Sequence, residues 1–175
     1  MSDKASEGTT QKAILAQTAA NPSDFTPGGN EPASDASTST EQLLPLPAPD
    51  DRVQRLVLFA VRRMAAHGVR DAYAANLLFS SFGIHFRRPL VLLRAFMIEL
   101  SQTSKRTITI APCCALRMTE DEGRIVSALV TAGSDRFTAA KYLRELAGEY
   151  GISSPLSVAA AFGNALTDLG HPLEV

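Results

Sequence analysis

From Asp50 onward, residues that start and stop helices cut the chain at short intervals, and this punctuation constrains the fold more than any single motif. "DDRVQRLVLFAVRRMAAHG" opens on aspartates, carries apolar residues at 53, 56, 57, 60 and 64, and stops at Gly68. Aspartate offers a side-chain acceptor to the unpaired N–H groups of a first turn, and the 3.6-residue period puts the apolar positions on one face. "DAYAANLLFSSFG" repeats the form between Asp71 and Gly83, with Tyr73, Leu77, Leu78 and Phe82 apolar. In "RRPLVLLRAFMIELSQ" Pro89 falls in a first turn, where its missing donor does no harm. That helix is apolar almost all round except for Arg94 and Glu99, which predicts a central, buried position.

Three further helices follow. Thr119 and Glu122 have capping-box spacing ahead of "EDEGRIVSALVTAG", which ends at Gly133. "DRFTAAKYLRELAGEYG" gives the fifth, and Ser154 before Pro155 opens a sixth that closes at Gly170 and Pro172. The expectation is an all-α class: one compact bundle of about six helices over residues 50–175, with a short extended segment at 107–111. An echo runs through it. "FGIHFRRPLVLLRAF" (82–96) and "YGISSPLSVAAAF" (150–162) share aromatic-Gly-Ile, a loop, Pro-Leu, and a Phe seven residues past the proline. Two duplicated three-helix halves would produce this, and so would the common use of Gly stops and Pro starts.

Residues 1–49 contrast with this. "NPSDFTPGGNEPASDASTSTE" has no sustained apolar period and too little apolar surface to offset chain entropy, so a disordered, acidic Ser/Thr/Pro-rich arm is expected. "LLPLPAP" reads as its extended approach to the domain. Its short apolar run, Ala13–Ala16, is no signal-peptide core, and arginines interrupt every longer run before membrane-spanning length. Two adjacent cysteines give no disulfide framework. The expectation is therefore a soluble, cytoplasmic protein with no membrane association.

The near-neutral net charge of −1 hides a division. Residues 1–50 carry two lysines against seven acids, 51–117 carry eleven Lys or Arg against three acids, and 118–175 carry four against eight. A basic block between acidic ones either presents a surface to an acidic or phosphate-bearing partner or is neutralised within the fold. Arg52, Arg55 and Arg62 surround Phe59 at helical spacing, with Arg63 beside them. Arg87 and Arg88 precede Pro89 at a helix start, where the dipole disfavours cations and favours anions. Glu120, Asp121 and Glu122 obey that rule at another helix start, and could pair with Arg87 and Arg88 across the domain.

The stretch "TITIAPCCALRMTEDE" (107–122) places Cys113 and Cys114 in an apolar setting. Structural zinc needs four ligands, and adjacent cysteines with no second pair do not supply them, nor do His67, His85 and His171 except by coincidence of folding. Without a Cys-x-x-Cys pair, the two thiols read as small buried hydrophobes at a packed connector, with a thiol site as the lesser alternative. If "TITIA" is a strand, it has no partner within the chain, and its edge could pair with a second copy in a homodimer. No metal or cofactor motif, phosphate loop, hydrolase elbow or His-Glu-x-x-His is present, so an enzyme is not expected. The Pro89 helix is also too apolar for a recognition helix in a DNA groove.

"RRPLVLLRAFMIELS" and "RTITIAPCCALRMTEDE", with their Pro-Cys-Cys and Met-Thr-x-x-Glu elements, resemble a small bacterial family known as a domain of unknown function. The resemblance spans roughly residues 52–130 and implies no activity or cofactor. The expected function is a non-enzymatic interaction or regulatory protein, most simply with a protein partner. The alternatives are a nucleic-acid-associated protein using the basic block 52–117, and a Cys-based redox or metal sensor.

Overall fold

The computed structural model describes residues 44–149 and 151–173. It is helical: α1 is Arg52–His67, α2 Ala72–Phe82, α3 Arg87–Thr103, α4 Glu120–Thr131, α5 Arg136–Ala147 and α6 Ser153–Asp168. The only strands among the described residues, β1 (Leu46–Pro47) and β2 (Arg117–Met118), pair antiparallel with Leu46 opposite Met118. The expectation of six separate helices needs one correction. α2 and α3 run together through a 3-10 turn, Gly83–Phe86, leaving five continuous helical segments. The cause is local: "GIHF" supplies no side-chain cap, and Phe86 is already right-handed helical (φ −59°, ψ −22°), so no extended residue interrupts the chain.

The other starts follow their side chains. Asp51 accepts from Gln54 N–H at 2.7 Å and Asp71 from Ala74 N–H at 2.8 Å. Asp135 caps α5 through Phe137 and Thr138 N–H. Thr119 and Glu122 form the capping box of α4. Gly68, Gly83, Gly148 and Gly170 adopt positive φ at the helix ends.

Helix pairs α1–α2, α3–α6 and α4–α5 pack side by side, and α6 also packs on α4. Phe96 of α3, Phe162 of α6, Leu78, Leu93, Leu129, Leu143 and Leu166 are all fully buried. The echo in the sequence corresponds to like structure. α3 and α6 each carry proline as third residue, follow a right-handed uncapped residue (Phe86, Ile152), and bury the Phe seven positions on. The expectation that α3 is buried all round is corrected: Val91 and Ile98 lie on its exposed side. The disordered arm expected over 1–49 falls mostly outside the described residues. Residues 44–49, however, join the domain through β1.

Residues 104–116 cross between α3 and α4 without regular structure. Ile108 and Ile110 point inward and are buried, Thr109 between them less so, which is the alternation of an extended chain. The extended segment is thus present, but among the described residues no strand pairs with it. One edge of its backbone is satisfied instead by side chains at the start of α4: Thr109 N–H donates to Asp121 at 2.9 Å, Ala111 N–H to Glu122 at 3.0 Å, and Thr109 C=O accepts from the hydroxyl of the capping Thr119 at 2.7 Å. The edge that carries Thr109 and Ala111 is therefore occupied within the fold.

Candidate functional site

The arginines of the basic block fall into two groups according to what the fold gives them. Arg62 is consumed internally. It is 4% exposed and Glu122 is fully buried. The guanidinium grips the carboxylate twice (Nε–Oε1 2.7 Å, Nη2–Oε2 3.0 Å) and donates to the carbonyls of Ala115 (2.7 Å) and Arg117 (2.8 Å). The same carboxylate accepts Thr119 N–H at 2.9 Å, so one side chain closes the capping box, holds the crossing strap and neutralises a buried cation. Arg62 is thereby removed from the surface stripe in which its spacing had placed it.

Others are also spoken for. Arg63 pairs with Asp71 at 2.8 Å, lies 4.6 Å from the Tyr73 ring centre, and meets the Cys113 side chain. The Arg63 hydrogen bond is the main reason the Asp71 carboxyl lies below its ordinary value. Arg106 grips Asp121 twice, at 2.6 and 2.8 Å. Burial works to raise the Asp121 carboxyl, but the Arg106 and Thr109 hydrogen bonds with the charges of Arg106 and Arg124 outweigh it and hold it low. Arg124 spans Glu120, Asp121 and Glu145. Arg117 donates to the carbonyls of Leu44 (2.8 Å) and Pro45 (2.6 Å). The acids at 120–122 therefore pair with Arg62, Arg106 and Arg124, and not with Arg87 or Arg88. Arg88 instead meets Asp168 at 2.7 Å, with both side chains more than half exposed.

What remains is Arg52, Arg55, Arg70 and Arg87, all exposed, with no hydrogen bond or ion pair among the described residues; Arg70 lies in the turn between α1 and α2. On α1, Arg52, Arg55 and Phe59 (38% exposed) share the outer face at i, i+3 and i+7. On α3, Arg87, Val91, Arg94 and Ile98 follow at i, i+4, i+7 and i+11, with Val91 60% exposed. Arg94 is half-buried, and its Nε is shielded from solvent without a hydrogen-bond partner. Two helices thus present arginines interleaved with apolar side chains. Sequence reasoning identified the α1 stripe but missed the α3 one; the signal was Arg94 recurring seven residues after Arg87 between two β-branched residues. The start of α3 is not an open helix end, because the 3-10 turn runs directly into it and occupies the axis ahead of its first N–H groups.

Cys113 and Cys114 occupy the corners of a turn closed by Ala115 N–H to Pro112 C=O at 3.0 Å. Cys113 is half-buried and Cys114 exposed, which corrects the reading of both as buried hydrophobes. Among the described residues no group of three or more His, Cys, Asp or Glu could hold a metal ion, and no helix is long and apolar enough to cross a membrane. His67 and His85 are exposed, while His171 packs its ring on Phe82 at 5.3 Å.

Fold and surface together define a class: a small all-α domain, internally neutralised by arginine–carboxylate pairs, with free arginines on two helix faces. The chain belongs to DUF6628, a family of unknown function whose profile matches residues 33–170. The match extends the resemblance seen over 52–130 at both ends. Neither the curated proteins nor the solved structures contain a match to this chain.

Proposed function

We propose that this chain is a small non-enzymatic interaction or regulatory protein of the cytoplasm, whose free arginines bind an acidic segment of a protein partner. One observation carries the reading. Arg62, Arg63, Arg106, Arg117 and Arg124 each have internal acceptors, whereas Arg52, Arg55 and Arg87 have none among the described residues and stand beside exposed Phe59 and Val91. A cation with an apolar neighbour suits a protein interface, where an apolar centre and a charged rim occur together. Backbone phosphates would need only the charge.

Affinity capture from the native cell, using the wild type and an Arg52→Ala/Arg55→Ala/Arg87→Ala variant, tests this. The expected result is a protein partner retained by the wild type and lost by a variant of unchanged melting temperature. Co-purifying nucleic acid whose binding falls steeply with salt would favour the nucleic-acid reading instead.

A further inference from the structure

We infer that the acidic segment 1–43 is itself an occupant of the Arg52–Arg55–Phe59 face, a tethered competitor for the partner site; this rests on the reading of that face given above. Three observations support it. First, the charges match: residues 1–43 hold six acids against two lysines, and the face holds two arginines without internal acceptors among the described residues. Second, the point where that segment joins the domain is pinned. Arg117 donates to the carbonyls of Leu44 and Pro45, and β1 pairs with β2. Leu46 lies over Gly123 so closely that a Cβ there would stand 2.5 Å from its Cδ1.

Third, the pinned point is joined to α1 through Arg117. The Arg117 carbonyl that follows this clamp is bonded by Arg62, at 2.8 Å. Arg62 is buried where it makes this contact, and exposed Arg55 lies two turns earlier on the same helix, about 10 Å along its axis. Glu41 and Asp35 stand three and nine residues before Leu44, which allows reaches of about 10 and 30 Å. A short tether gives these carboxylates a high effective concentration at Arg52 and Arg55 without requiring a strong contact. The family's extent starts at residue 33, so it includes both acids.

The test uses the full chain with Glu31→Gln, Asp35→Asn and Glu41→Gln together, against the wild type. Backbone amide signals of residues 52–59 are followed by NMR, and a poly-glutamate peptide serves as the acidic probe. The expected result is a shift of the Arg52, Arg55 and Phe59 amides and tighter peptide binding in the variant. A segment that covers the face nine-tenths of the time would weaken the peptide about tenfold. Unchanged α1 amides together with unchanged peptide affinity would overturn the inference. Shifted amides with no peptide binding to either protein would support the segment's docking while overturning the partner reading.

Discussion

Glu122 shows how much one residue can hold. As the third residue of a capping box its role at the start of α4 is legible in the sequence, since Thr119 lies three positions earlier and an apolar run follows. Its second role is not legible, because the partner, Arg62, is 60 positions away and looks like one more cation in a surface stripe. Only packing α1 on α4 brings them together. Replacing one partner of a buried ion pair leaves the other charged and unpaired, so Arg62→Met or Glu122→Gln should each cost about 3–5 kcal/mol. The two changes combined should cost less than their sum, which urea denaturation of the two single variants and the double variant would show. The exposed arginines differ: Arg52 and Arg55 hold nothing in the fold, and their replacement by Ala should leave stability within about 0.5 kcal/mol.

Among the helices, starts and stops were written locally and could be read locally: Asp51, Asp71, Thr119 and Asp135 all cap as their residue types dictate. Two features escaped for a common reason. Gly83 as a helix stop and Pro89 as a helix start imply a break between them, yet a 3-10 turn over Gly83–Phe86 carries one helix into the next. "TITIA" has strand composition, but composition cannot say that its N–H groups will meet carboxylates from a helix rather than another strand. The caps themselves are unequal. Asp135 is an exposed cap, so Asp135→Ala should cost about 1 kcal/mol. Thr119 is buried and its hydroxyl also satisfies Thr109 C=O, so Thr119→Ala should cost roughly 1 kcal/mol more, for the orphaned carbonyl. Thermal melts of the two variants make the comparison directly.

For the whole molecule, the three charge blocks were visible at once, but not which cations would be left over. Net charge counts residues, and neutralisation depends on which helix faces which. Asp71, Asp121 and Asp135 all titrate below their ordinary value in the fold. Groups of this kind contribute stability that is complete above the unfolded carboxylate range near pH 4, and it is lost as pH falls through the depressed folded values. Denaturant midpoints should accordingly be flat above about pH 5 and decline steadily below about pH 4. The crossing strap carries a consequence for the order of assembly. Its Thr109 and Ala111 N–H groups are met by Asp121 and Glu122 of α4, about a dozen residues on, whereas its Ala115 carbonyl is met by Arg62 of α1, so that contact forms only once α1 has docked. The Arg62 contact is expected to form on the late side of the folding barrier. Weakening it with Arg62→Met should leave the refolding rate nearly unchanged and speed unfolding, so that the lifetime of the native state depends on the strap while the speed of reaching that state does not.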